Sequence, residues 1–388
     1  MRIFRICKKE EAKTNMRPTR VEINLDNIAY NISEIQRRIG DKVKIMAVVK
    51  ANAYGHGAVE VARTALESGA QWLAVAMLEE AVELREDGIQ SPILVLGPSP
   101  PAEAQELVKY RLAQAVCTGE LAQALSAEAK GQAQDAKVHV KVDTGLGRLG
   151  ILPEEVTGFI KDISRLKGIK IEGIFTHFSV AGEDRRFTEL QMKKFQGMLA
   201  SLEKAGIRIP VKHAANSAAV LDTPSSYFSL VRPGIMLYGL YPSLKVTHSI
   251  HLKPAMSFKT QVAYLKTVPA GVSLSYGRTF VTRKKSRIAT LPVGYADGYS
   301  IALSNRGEVL IKGKRATVVG SVCMDMTLVD VTHIPDVKVG NEVILFGRQD
   351  GAQLSADEVA SKIGTINYEV LCGIDRRVPR VYIRDDKN

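Results

Sequence analysis

The chain has 388 residues, 45% hydrophobic and 24% charged. That is the balance of an ordinary soluble protein with room for two domains, not of a disordered, fibrous or membrane-embedded chain. The formal charge is +12, from 53 basic and 41 acidic residues, but no basic stretch is interleaved with aromatics as a nucleic-acid groove requires. Four scattered cysteines (Cys7, Cys117, Cys323, Cys372) with no CxxC pair exclude a disulfide framework and a cysteine-based metal site. The absence of an apolar run near 18 residues excludes a membrane-spanning helix.

In chain order, residues 1–15 are basic and lack the apolar core of a secretory signal. They are expected to be a disordered extension, with Met16 as the functional start and a cytoplasmic location. Arg20 to Leu25 alternates as a strand, and Asp26 can cap a helix running to about Arg38. The apolar run Ile45 to Val49 reads as a buried parallel strand. It delivers Lys50 to its end, before Ala51-Asn52-Ala53-Tyr54-Gly55-His56-Gly57. A lysine there is read equally well as one reaching past the strand end to solvent or as a desolvated amine able to form an imine.

From His56 a helix is expected to Gly69, and the rhythm then repeats. Strands are predicted at 72–76, 92–96, 114–117, 138–142, 170–176, 211–214 and 228–231. Helices fall between them at 78–86, 101–110, 120–130, 154–166, 189–205 and 217–222. About eight strands alternating with helices demand a parallel sheet, and the count suits a (β/α)8 TIM barrel. An open doubly wound sheet is the alternative, but a GxGxxG fingerprint after the first strand is missing. From about residue 250 short alternating runs separated by turns indicate a mostly β C-terminal domain, with one helix capped by Ser355. The domain expectation is a barrel over 16–245, with strand 20–25 able to join the β domain, and a β-rich domain over 246–388.

In a barrel, functional residues gather at strand C-termini. There this chain places Lys50 and Tyr54; Lys141, Asp143 and Arg148; His177; Asn216 and Ser217; and Arg232, Gly234 and Ile235. The set is rich in cations and backbone donors and poor in paired carboxylates. It suits a phosphate-bearing ligand, with Ser217 and Gly234 as donors. Taken singly, His177 reads as a core histidine and Arg232 as a surface ion pair. Lys141 would be costly inside a barrel unless neutralised or paired.

Together these residues resemble alanine racemases, over about Arg17 to Tyr382. The likeness is carried by Ala47 to Gly57, Lys141 to Gly150, the segment around His213 to Ser217, Arg232-Pro233-Gly234, Ser275-Tyr276-Gly277, Gly294-Tyr295-Ala296-Asp297-Gly298, Cys323-Met324-Asp325 and Arg377-Val378-Pro379-Arg380. The resemblance implies pyridoxal 5′-phosphate as cofactor and L/D-alanine racemisation feeding peptidoglycan. Lys50 would join the cofactor and act as base on one face of the substrate, and Tyr276 as base on the other. It further implies Tyr54, Ser217, Gly234, Ile235 and Tyr368 around the phosphate, Arg232 at the ring nitrogen, His177 against the ring and bonded to Arg232, and Asn216 at the ring edge. Arg148 and the backbone around Met324 would meet the substrate carboxylate, and Lys141 would carry a carbamate paired with Arg148. A head-to-tail homodimer would bring Tyr276 and Met324 to the partner's site.

Neutral residues at Gly182, Ile301 and Ser321, where relatives often carry charge, leave broader amino-acid specificity open. A same-fold decarboxylase of basic amino acids is the other alternative. It usually has an acidic residue after the cysteine, where this chain has Met324, and it lacks the Ser275-Tyr276-Gly277 base.

Overall fold

The computed structural model describes residues 17–384; the basic extension 1–15 and Met16 lie outside the described residues. The chain forms two compact units. One holds Asn27–Ala53 and Gly57–Lys253; the other holds residues 17–26, Tyr54–His56 and 254–384.

Strand β1 (Arg20–Asn24) belongs to the second unit. The first unit is built on eight parallel strands: β2 (Lys44–Val48), β3 (Trp72–Val75), β4 (Ile93–Val95), β5 (Ala113–Val116), β6 (Ala136–Lys141), β7 (Ile169–Phe175), β8 (Val211–His213) and β9 (Leu230–Val231). They pair in sequence order from β2 to β8, and β9 returns to pair with β2. Between β8 and β9 the ladder is replaced by local bonds. Ser229 Oγ accepts from the Lys212 N–H at 2.9 Å, and the Arg232 N–H donates to the Ala215 carbonyl at 2.9 Å. The sheet is thus the expected (β/α)8 barrel.

These segments become strands because they are short, apolar and rich in branched residues, with both faces covered. Ile45, Met46, Ala47, Leu73, Ala74, Ile93, Leu94, Val138 and Val140 are fully buried, each large side chain contributing roughly 1.5–3 kcal/mol. Outer helices turn an apolar stripe inward, as Ala58–Glu67 does with Ala58, Val61, Ala62 and Ala65. The helix expected from His56 begins at Ala58, because the preceding residues adopt a different conformation described below.

The second unit is a ten-stranded, mostly antiparallel sheet. Strand β1 lies inside it, antiparallel to β10 (Met256–Gln261) and parallel to the last strand, Arg380–Ile383. Along β10 Met256, Phe258 and Thr260 are buried and the residues between them are not, the period-2 pattern of a sheet with one wet face. Ser355 caps Ala356–Ile363 by accepting the Glu358 N–H, as expected. A second short helix, Asn367–Cys372, carries Tyr368.

Candidate active site

At the C-terminal end of β2, Lys50 opens a turn that breaks the usual handedness. Ala51, Asn52, Ala53 and Tyr54 have φ of 53°, 52°, 52° and 53°, one turn of left-handed helix. This conformation costs roughly 1–2 kcal/mol per non-glycine residue, so specific bonds must hold it. Glu80 Oε1 accepts the Ala51 N–H at 2.5 Å, and Glu80 Oε2 accepts the Ala76 N–H at 2.7 Å. The Ala53 N–H donates to the Val49 carbonyl at 2.8 Å, and Asn52 Oδ1 accepts the Ala58 N–H at 2.8 Å, starting the following helix. Beneath Lys50, the Tyr238 hydroxyl donates to the Val48 carbonyl at 2.9 Å, and the Val48 N–H donates to the Pro233 carbonyl at 3.1 Å. The strand end bearing Lys50 is therefore tied to the one bearing Arg232.

Arg232, just past β9, is 4% exposed. Its Nη1 donates to His213 Nδ1 at 2.8 Å, and its Nη2 to the carbonyls of Thr176 at 2.7 Å and Ala214 at 3.0 Å. All of these partners are neutral. Burial pulls Arg232 down to about 9, which leaves it protonated at neutral pH. The expected bond from His177 is present but long, 3.4 Å from His177 Nδ1 to Arg232 Nη2; the short side-chain bond goes to His213 instead. Burial, then Arg232, Lys141, Arg148 and Lys50, hold His177 well below the usual histidine range, so it is neutral. Burial, Arg232, His139 and Lys141 do the same to His213.

Lys141 ends β6 and is 5% exposed. Its Nζ lies 4.4 Å from the centre of the Phe175 ring, which stacks on His213 at 4.7 Å. Burial, Arg232 and Arg148 hold its amine well below the lysine range, against the opposing pull of Asp143. Asp143 Oδ1 accepts the N–H groups of Gly145, Leu146 and Gly147 at 2.8, 2.9 and 3.2 Å, shaping the loop that carries exposed Arg148. Ser217 Oγ accepts the Gly234 N–H at 2.9 Å, and Asn216 caps Ser217–Asp222 through the Ala219 N–H. Ile235 is buried beside them. The barrel mouth thus gathers Lys50, Lys141, Arg148 and Arg232 around neutral histidines, an electropositive site suited to an anionic ligand.

The remaining predicted residues lie in the second unit. The Tyr54 ring lies 5.9 Å from that of Tyr368, and burial with Tyr368 and Cys372 nearby raises the Tyr54 phenol. Gly55, at φ 81°, sits where a Cβ would come 2.4 Å from the Leu371 carbonyl oxygen, so the chain there requires glycine. Tyr276 is 75% exposed and Met324 52%. Their loops are joined: Ser275 Oγ donates to the Ser321 carbonyl at 2.6 Å, and Ser321 Oγ donates to the Tyr276 carbonyl at 3.0 Å. The N–H groups of Tyr295 and Ala296 donate to the carbonyls of Cys323 and Met324. Arg377 ties buried Asp297 to Asp325 at 2.7 Å each.

Sequence reasoning assigned no role to Glu80, His139 or His213. The two histidines sit inside strands, where nothing local distinguishes them, and Glu80 lies in an ordinary helical pattern. Nor did it single out Gly182 for its backbone: at φ 82° a Cβ there would meet Val246 Cγ1 at 2.4 Å, so a side chain at this position would be strained and would displace Val246.

Over residues 23–242 the chain matches the family described as alanine racemase, N-terminal domain, and over 255–382 the alanine racemase C-terminal domain. It is 50% identical over 370 residues to alanine racemase 2 of Caldanaerobacter subterraneus subsp. tengcongensis, covering 95% of each chain. It is 51% identical over 367 residues to the alanine racemase of Halothermothrix orenii, covering 94% of this chain and 97% of that one. Among solved structures, alanine racemase from Clostridium difficile superimposes with a TM-score of 0.93 at 42% identity, covering 96% of this chain and 98% of the other. The Bacillus anthracis alanine racemase with bound L-Ala-P does so at 0.91 and 41%, covering 96% and 97%.

Proposed function

The chain belongs to the alanine racemase family and is an isomerase of L- and D-alanine; on that premise we propose that Lys50 and Tyr276 are its two bases. Lys50 Nζ serves one face of the substrate Cα and Tyr276 Oη of the partner subunit the other. The exposure of Tyr276 and Met324 supports their contribution to a neighbouring site in a homodimer. The barrel unit, Asn27–Ala53 and Gly57–Lys253, is the pyridoxal 5′-phosphate-binding domain, and the β-rich unit supplies the opposite base to the partner subunit. The role is cytoplasmic supply of D-alanine for peptidoglycan. Among the described residues no helix is long and apolar enough to cross a membrane.

The observation that carries this reading is Arg232: a buried guanidinium with only neutral partners and N–H groups to spare. That donor set fits the ring nitrogen of pyridoxal 5′-phosphate, and the Ser217–Gly234 pair fits its phosphate, together with Ile235, Tyr54 and Tyr368. When bound, pyridoxal 5′-phosphate would supply the electron withdrawal that acidifies the substrate Cα–H. Arg232 keeps its own proton, so it would donate a hydrogen bond to the ring nitrogen without protonating it. His177 presents a neutral ring against the cofactor and Asn216 borders its edge. Arg148 and the backbone at Met324 hold the substrate carboxylate. Lys141, an amine that burial, Arg232 and Arg148 hold below the usual lysine range, is suited to add CO2 with loss of a proton and, as a carbamate, to pair with Arg148. One base gives up a proton on its face as the other accepts one, which inverts the centre.

The test is racemisation in D2O. Deuterium is expected at the α-position as optical rotation is lost, Lys50→Ala is expected to be inactive, and Tyr276→Phe to lose activity in both directions. A Tyr276→Phe enzyme as fast as the parent would remove the second base from the scheme.

A further inference from the structure

Below its mouth the barrel interior holds a line of polar side chains where such barrels pack branched apolar ones. Arg232 Nη1 meets His213 Nδ1 at 2.8 Å, and His213 Nε2 meets His139 Nδ1 at 2.9 Å. His139 Nε2 faces Glu172 Oε2 at 3.6 Å, and Glu172 Oε1 lies 3.5 Å from Lys137 Nζ, whose side chain is 42% exposed. His139 and His213 are fully buried. Neither His139 Nε2 nor Glu172 Oε2 has a hydrogen-bond partner; at 3.6 Å these two buried, complementary atoms stand just beyond hydrogen-bond distance of each other.

Two backbone features build this line. The register of β6 on β7 pairs Val138 with Ile171 and His139 with Gly173, leaving Glu172 as the extra residue of a bulge; bulges re-aim side chains. At Gly173 a Cβ would come 2.3 Å from His139 Nδ1, so the absence of a side chain there makes room for the imidazole.

The chemistry runs in one direction. Arginine only donates, so His213 Nδ1 must accept and His213 Nε2 must carry the hydrogen. His139 Nδ1 then accepts, and His139 Nε2 carries its hydrogen toward the carboxylate. A proton added to either histidine would set donor against donor along the line. The surrounding charges agree: burial, with Arg232 and Lys137, outweighs Glu172 and keeps His139 below its usual range. Burial raises Glu172, but His139 and Lys137 outweigh it and keep it a carboxylate.

We propose that Glu172 and His139 are positioning residues for Arg232: the carboxylate selects the tautomer of His139, which selects that of His213 and so presents Arg232 with a permanent acceptor. The pinned guanidinium then keeps its remaining N–H groups aimed at one ligand atom. This rests on the reading that Arg232 faces the bound ring.

The experiment is long-range 1H–15N correlation on full-length protein labelled at its seven histidines, cofactor-free and cofactor-loaded, for the parent, Glu172→Gln and Glu172→Leu. In the parent, His139 and His213 are both expected as neutral Nε2–H tautomers. Glu172→Gln, whose amide oxygen still accepts, is expected to keep them. Glu172→Leu is expected to mix the tautomers of both histidines, to leave exposed His248 unchanged, and to lower kcat/KM about tenfold, as loss of a supporting partner does elsewhere. Equal melting of the Gln and Leu variants separates this from unfolding. A His213 proton on Nδ1, or histidine signals unmoved in Glu172→Leu, overturns the proposal. So does mixing of the tautomers with unchanged kcat/KM. Because the tautomers are read without cofactor, an intact line in a protein that does not racemise alanine would sink the functional reading and not the line.

Discussion

Glu80 Oε1 accepts the backbone N–H of Ala51 at 2.5 Å, one residue past Lys50, while its second oxygen accepts that of Ala76. One carboxylate thus clamps the start of a left-handed turn to the end of the neighbouring strand. Glu80→Ala should release the turn. The expected cost is roughly 1–2 kcal/mol for two lost hydrogen bonds, one at an exposed and one at a half-buried amide, with a larger fall in kcat because Lys50 loses its fixed base. Urea unfolding and steady-state kinetics check this; parental values in both would show that the turn holds itself.

Gly55 meets two demands at once, a φ of 81° and a close approach to the Leu371 carbonyl. Gly55→Ala is expected to destabilise the fold by about 2–4 kcal/mol, combining conformational strain with forced displacement of backbone. Gly40, also at positive φ but with open space around it, serves as the control. Gly40→Ala should cost about 1 kcal/mol, from conformation alone. Equal losses at the two sites would argue against the steric part.

Lys141 is held below the free-lysine range by burial, Arg232 and Arg148. The folded amine therefore gives up its proton more readily than the unfolded one, and this difference destabilises the fold at any pH below about 10.4. Lys141→Met should thus melt higher than the parent in CO2-free buffer at pH 8, and the gain should shrink as pH rises toward 10. With 13C-bicarbonate the parent should show a carbamate carbon that Lys141→Met lacks. No such signal in the parent would rule out the modification.

Asp297 has the opposite sign. Burial raises it, but Arg17, Arg377 and the Gly294 N–H together hold it below the usual aspartate value. A depressed carboxylate contributes stability above its unfolded value, about 3.9, and that contribution disappears as pH falls through the folded one. Asp297→Asn should cost about 2–4 kcal/mol at pH 7, tempered because both guanidinium groups reach solvent. The difference from the parent should narrow in acid. Melting curves from pH 3 to 7 decide it; a constant difference would exclude this carboxylate as its source.

Much of this was legible in the residues. The barrel could be read because Ile45 to Val49 and its counterparts are apolar runs spaced by helical segments, a signal that survives without tertiary information. Lys50, Arg232 and Ser217 could be read because strand ends are where such folds place chemistry. The left-handed turn could not: Ala51-Asn52-Ala53-Tyr54 contains no glycine, and what enforces it is a carboxylate 29 residues on. The line through the barrel was equally hidden, since His139, Glu172 and His213 meet only once β6, β7 and β8 are side by side. The bulge that turns Glu172 inward has no local signature.

The division of the chain between its units bears on how the protein is made. Strand β1 is synthesised first, yet its ladder partners are β10 and the strand Arg380–Ile383. On the ribosome it must wait for more than half the polypeptide to emerge before it can pair. The barrel segment 57–253 can assemble in that interval, whereas the left-handed turn leads directly into Tyr54–His56, which belong with the late-arriving unit. Long sequence separation slows closure and leaves an unpaired strand open to wrong partners meanwhile. Pairing of the first strand is therefore a late event in biogenesis, and a chain released short of residue 380 would lack one of that strand's two ladder partners.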